Sequence, residues 1–115
     1  MRLSLSVLVL AISLIAAPSL AAETPTAITV TLKGHRFTPA DITVPAGQKV
    51  RIVLVNQDAA TEEFDSHDLR VEELVTPNGR TTFSIGPLKP GAYSFMGEFH
   101  AATAEGRVVA VEGAR

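Results

Sequence analysis

Near its carboxyl end the chain reads Tyr93-Ser94-Phe95-Met96-Gly97-Glu98-Phe99-His100, and after four more residues it continues as Glu105-Gly106-Arg107-Val108. The aromatic residues of the first stretch recur at every second position, which is typical of a strand with one face in an apolar core. The second stretch leads into a valine-rich run. The pattern predicts two strands joined by a short loop, with a histidine at the end of the first strand.

The same alternation of apolar and polar residues recurs through the chain after residue 25. The predicted strands are 27–32, 42–44, 49–55, 69–75, 81–85, 91–99 and 107–111. Turn sequences separate them, notably Pro45-Ala46-Gly47, Pro77-Asn78-Gly79 and Pro90-Gly91. The longest connection, 56–66, is acidic, and no useful length after residue 22 has apolar residues at helical spacing. Short strands punctuated by turns predict an all-β sandwich.

The first 22 residues have the organisation of a secretory signal peptide. Arg2 gives a basic start, residues 3–17 are almost wholly apolar, and small residues follow up to Ala22. The apolar run is shorter than the roughly 20 residues that a membrane span needs. We therefore expect export, with a signal peptide at 1–22 and one domain at 23–115; a membrane anchor is the alternative.

Composition excludes several kinds of site. The sequence has no cysteine, so disulfides, thiolate copper centres, zinc–cysteine sites and iron–sulfur clusters are all impossible. The formal net charge is −2 at pH 7, and no basic run occurs, which argues against a nucleic-acid partner. Any metal must therefore be held without thiolate ligands.

Two segments each place a carboxylate two residues before a histidine, and residues two apart share one face of a strand. If both segments are regular strands that lie side by side, their imidazoles and carboxylates surround one cation. Such a donor set favours copper(II), iron or zinc, whereas a thioether favours copper(I). The predicted metal ligands are Glu63, His67, Met96, Glu98 and His100.

Other polar residues near these segments leave alternatives open. Glu62 and Glu63 point to opposite faces, so at most one faces the site, and parity with His67 selects Glu63. Asp65, His35 and Glu105 are further candidates. No catalytic residues are predicted, because Ser66 points away from the adjacent His67 and no glycine-rich phosphate loop occurs.

The motifs together resemble the EfeO-type cupredoxin-like domains of bacterial iron uptake, especially the stand-alone periplasmic versions. The similarity covers nearly the whole of 23–115. It is carried by Phe37-Thr38-Pro39, Val44-Pro45-Ala46-Gly47, Asn56, Glu63-Phe64-Asp65-Ser66-His67, the run 85–91 and Gly97-Glu98-Phe99-His100.

The same segments can be matched to blue copper proteins, where His67 and His100 correspond to the two histidine ligands. Gly97 stands at the cysteine position and Glu105 at the methionine position. Without the thiolate, a role as a fast one-electron carrier is not expected.

The resemblance implies a Greek-key β-sandwich in the periplasm that binds copper(II) or iron and serves iron uptake. It implies an iron permease, or a periplasmic iron-binding protein of the same system, as the partner, and a part in ferrous iron oxidation could follow. A homodimer stays open. The alternatives are a periplasmic copper carrier and a metal-free adaptor that docks on an iron permease.

Overall fold

The structure is a computed structural model that describes residues 2–4, 6–15 and 26–113. Within 26–113 it contains nine strands and one short 3₁₀ helix. The strands are β1 (Thr26–Lys33), β2 (Arg36–Thr38), β3 (Asp41–Pro45), β4 (Val50–Asn56), β5 (Glu62–Ser66), β6 (Val71–Val75), β7 (Arg80–Ile85), β8 (Gly91–Gly97) and β9 (Glu105–Val111). The 3₁₀ helix, Glu98–His100, lies between β8 and β9.

The strands form two mixed sheets. One has four strands in the order β2-β1-β4-β7, and the other has five in the order β3-β9-β8-β5-β6. In each sheet one neighbouring pair is parallel, β1 with β4 and β3 with β9, and the remaining pairs are antiparallel. The two sheets enclose one apolar core. Each strand contributes at least one buried apolar residue to it, and β6 contributes Val75 at its end.

Four phenylalanine rings lie at the centre of this core. Phe64 of β5 stacks on Phe95 of β8 with ring centroids 4.6 Å apart, and it lies 4.9 Å from Phe83. Phe37 meets Phe64 and Phe95 edge-on, at 5.8 and 5.2 Å. Because aromatic pairs add favourable contact to their buried area, these rings fix how β5 and β8 face the other sheet.

The all-β sandwich predicted from alternation is confirmed, with differences at three segments. The short strand β2 was not predicted. The acidic stretch 56–66, predicted to be a connection, contains β5, whose inward residues alternate with half-buried acidic ones. The strand predicted over 91–99 ends at Gly97, because the N–H of Gly97 donates to the carbonyl of Ala104 at 2.7 Å and closes a loop there.

Residues 2–4 and 6–15 are exposed and lie in neither helix nor strand. Among the described residues, no helix has the length and apolar character needed to cross a membrane. The predicted cleavage region after residue 20 lies outside the described residues, so the signal peptide stays a prediction.

Candidate metal centre

A buried carboxylate lies at the end of the sandwich where β4 and β8 finish and β5 begins. Glu62, the first residue of β5, points inward on the same face as Phe64 and is only 1% exposed. Its Oε1 accepts hydrogen bonds from the backbone N–H groups of Glu63 and Phe99, at 3.0 and 2.8 Å. Its Oε2 lies 2.7 Å from Nδ1 of His100. The carboxylate is therefore fixed in one orientation against an imidazole.

His100 reaches this carboxylate because the chain leaves the β8 strand at Gly97 and turns through the 3₁₀ helix. The N–H of Ala104 donates to the carbonyl of His100 at 2.9 Å, which holds the loop closed. A Cβ at position 97 would lie 2.7 Å from the Cδ of Glu62 and 2.8 Å from the Cβ of Ala104. Glycine at this position thus leaves the space that the Glu62 carboxylate occupies.

A second histidine comes from the turn between β1 and β2. Gly34 and His35 have φ angles of 60° and 57°, as in a type I′ hairpin turn. This conformation is uncommon for a residue other than glycine. The imidazole of His35 stacks on that of His100, with ring centroids 3.6 Å apart and an interplanar angle of 11°.

These three side chains are close enough to share one cation, and because the two imidazole planes are nearly parallel, one ring must rotate before both can direct a nitrogen lone pair at it. His35, Glu62 and His100 each offer a ligand atom, and the three atoms lie within 4.8 Å of one another. Ligand atoms about 2.0–2.2 Å from a metal lie ~3 Å from their neighbours around it, close to the separation of the Glu62 and His100 atoms. Two imidazoles and a carboxylate suit copper(II), zinc and iron.

A separate acidic cluster lies on the outer face of the five-stranded sheet. Glu63, Asp65 and Glu72 bring carboxylate oxygens within 4.8 Å of one another. Glu98 joins them: a hydrogen bond with Asp65, and repulsion from the carboxylates around it, raise the pKa of Glu98 above its usual value. This cluster consists of carboxylates alone, on the opposite side of β5 from Glu62.

The structure distributes the five predicted ligands over different surfaces. Glu63 and Glu98 lie in the acidic cluster, and Met96 is paired across the strands with Asp65, where its side chain is 40% exposed. His67 is exposed in the turn after β5 and belongs to neither group of ligand atoms among the described residues. Of the five, His100 is the one whose side chain bonds to the Glu62 carboxylate among the described residues.

Of the three residues His35, Glu62 and His100, only His100 was among the ligands predicted from the sequence. Face parity favoured Glu63, but parity holds only along a regular strand, and the chain stops being a strand before His100. One signal for Glu62 was available, since it shares the inward parity of Phe64. Metal binding by Glu63, His67, Met96 and Glu98 stays a prediction.

Comparison with known proteins agrees with this architecture. The family model described as "Cupredoxin-like domain" matches residues 5–110. The uncharacterized protein RP394 of Rickettsia prowazekii (strain Madrid E) is 40% identical over 82 residues, which span 71% of this chain and 66% of that protein. The match thus covers slightly less than two thirds of the relative's length.

Two solved structures show the same fold at low sequence identity. The metal-binding domain of the Cu(I)-exporting P-type ATPase CopA of Streptococcus pneumoniae D39, solved with Cu(I), has a TM-score of 0.66 at 16% identity, covering 80% of this chain and 92% of that one. Auracyanin A, a "blue" copper protein of Chloroflexus aurantiacus, has a TM-score of 0.66 at 18% identity, covering 76% and 100%. The predicted cupredoxin-like fold is confirmed, and this chain belongs to the family of cupredoxin-like domains.

Proposed function

We propose that this protein binds copper(II) through His35, Glu62 and His100. The observation that carries the proposal is the buried Glu62 carboxylate held 2.7 Å from His100, whose ring stacks on His35. Among the divalent first-row metals, copper(II) forms the strongest complexes with nitrogen and oxygen ligands. The copper proteins among its structural neighbours add support from the fold.

The ligand chemistry favours the oxidised ion. A carboxylate is a hard oxygen donor, whereas copper(I) prefers thiolate and thioether sulfur. The chain has no cysteine, and Met96 lies on the outer face beside Asp65 rather than beside Glu62. A cation at this place also balances the negative charge that folding buries at Glu62. Burying a carboxylate without a compensating positive charge is costly.

The wider role that we propose is accessory to iron uptake in the periplasm. The support is the similarity of the sequence motifs to EfeO-type domains and the apolar run at residues 3–17. The partner would be an iron permease or a periplasmic iron-binding protein. In a redox role, one electron would pass from ferrous iron to bound copper(II), giving ferric iron and copper(I), with dioxygen as the final oxidant.

Isothermal titration of the metal-free protein with copper(II) tests the site. We expect His100→Ala to weaken binding at least tenfold, which is about 1.4 kcal/mol. His67→Ala is the matched control, since it removes an imidazole that lies outside the cluster, and it should bind as the wild type does. Equal affinities for the two variants would contradict the assignment, and tighter binding of iron would assign the site to iron instead.

The redox role has its own test. Ferrous iron consumption in air should rise above the buffer rate only when the wild-type protein carries copper. A copper-loaded protein that leaves the rate at the buffer value would remove the oxidation step while leaving the binding site intact.

A further inference from the structure

His35 is an unusual residue at the tip of a hairpin turn, because its φ of 57° lies in the region that favours glycine. Its side chain is 42% exposed, yet its ring lies flat on His100 at 3.6 Å. A half-exposed side chain on a turn would normally sample several rotamers. Something in the structure must therefore hold the turn and its imidazole in place.

Asp58 provides that restraint. Its Oδ1 accepts a hydrogen bond from the N–H of Gly34 at 2.7 Å, and its Oδ2 accepts one from the N–H of His35 at 2.9 Å. The same Oδ2 lies 3.5 Å from Nδ1 of the His35 ring. One carboxylate therefore binds both N–H groups of the left-handed turn and also contacts the imidazole. Charge-assisted bonds of this kind are stronger than neutral ones.

The backbone of Asp58 is in turn restrained by Asn56, a residue at the end of β4 that is 1% exposed. The N–H of Asp58 donates to Oδ1 of Asn56 at 2.9 Å, and the Asn56 amide donates to the carbonyls of Ala60 and Thr76 at 2.8 and 3.0 Å. The carbonyl of Asp58 also accepts from the N–H of Asn78 at 3.0 Å. The restraint on the turn is thus anchored in the sheet rather than in a free loop.

Resting on the proposed copper(II) site, we infer that Asp58 is a positioning residue that holds His35 over His100 as the second imidazole ligand. Carboxylates that contact the ligating histidines of metal sites fix the orientation of the ring and strengthen binding. Asp58 holds the backbone of the turn, so that the His35 ring stays beside His100 and needs only to rotate about its side-chain bonds to turn a nitrogen toward the metal; a ligand restrained in this way loses less conformational freedom on binding. Asp58 acts here through His35: its carboxylate bonds to the backbone of the turn and contacts the His35 ring.

A double-mutant cycle with copper(II) as the probe tests this inference. Asp58→Ala should raise the dissociation constant at least tenfold in the wild-type background and less than twofold in a His35→Ala background. Electron paramagnetic resonance of the copper form should show one fewer coupled nitrogen in both single variants. Asp41→Ala is the control, because it removes an exposed carboxylate whose partner is Arg107, and it should change neither readout.

The structural role of Asp58 must be separated from its role at the metal. Urea unfolding of the metal-free variants shows whether they fold, and Asp58→Asn, which keeps one acceptor oxygen for the turn, replaces the alanine variant if that one unfolds. A tenfold loss that persists in the His35→Ala background would overturn the inference, as would an unchanged nitrogen count. If His100→Ala also leaves copper binding unchanged, the proposed site itself fails.

Discussion

Replacing Glu62 by alanine should destabilise the metal-free protein far more than the same change at the neighbouring Glu63. Glu62 is only 1% exposed, so its replacement changes a buried place. Glu62→Ala leaves two backbone N–H groups without their acceptor and the His100 imidazole without its partner. Each buried polar group left without a partner costs about 1–3 kcal/mol. Because water can enter the space and replace part of the loss, we expect a total of about 3 kcal/mol.

The assay is urea unfolding followed by circular dichroism, in the presence of a chelator so that no metal contributes. A loss of about 3 kcal/mol lowers the melting temperature of a domain of this size by roughly 12–24 °C. Glu62→Gln keeps one acceptor oxygen and nearly the same volume, so it should fall between the wild type and Glu62→Ala.

Glu63→Ala is the control because it removes an acid from the next position of the same strand. Glu63 is half-buried in the acidic cluster, where its charge adds to the repulsion on Glu98. Its removal should change stability by less than about 0.5 kcal/mol, or raise it slightly. Equal losses in the two variants, or a loss below about 1 kcal/mol for Glu62→Ala, would refute the argument that Glu62 is anchored by buried hydrogen bonds.

Three further outcomes follow from the same geometry. The raised pKa of Glu98 means that its contribution to stability is present below the unfolded pKa, near 4.5, and is lost as pH rises through the folded pKa. The urea midpoint of the wild type, relative to that of Glu98→Gln, should therefore fall as pH increases above 4.5. Gly97→Ala should cost about 1–3 kcal/mol, since its Cβ meets the Glu62 carboxylate at 2.7 Å, and calorimetric melting in a Glu62→Ala background should show a smaller loss. Ser66→Ala removes a hydroxyl that is 3% exposed and bonded on both sides, so chemical denaturation should show a loss of about 1–2 kcal/mol; a loss near zero would mean that water replaces these bonds.

The sandwich itself could be predicted because its signal is local. Alternation in β4 places Val50, Ile52 and Leu54 on the core face, and the same two-residue period marks the aromatic residues of β8. β5 was harder to predict because two of its three inward residues, Glu62 and Ser66, are polar, so that the segment has the composition of an acidic loop. Buried polar residues at alternate positions therefore conceal a short strand from a search for apolar periodicity.

The site depended on where the strands end, which alternation does not report. Face parity grouped His100 with Met96 and Glu98, and that grouping required β8 to continue past Gly97. The 3₁₀ helix rotates His100 toward Glu62, a residue 38 positions away in the sequence. His35 belongs to a different hairpin, so the spacing of residues along the chain does not indicate its contact with His100.

By itself, the sequence determined the class of fold and the chemistry available to it, because apolar periodicity and the absence of cysteine are properties of the chain alone. It named His100 and excluded thiolate from any set of metal ligands. Only the tertiary structure decided which groups meet: it buried Glu62 rather than Glu63, brought His35 onto His100, and left His67 and Met96 elsewhere. The physical reason is that ligand geometry depends on turns, strand ends and long-range hydrogen bonds, whereas the fold class depends on the repeated pattern of burial.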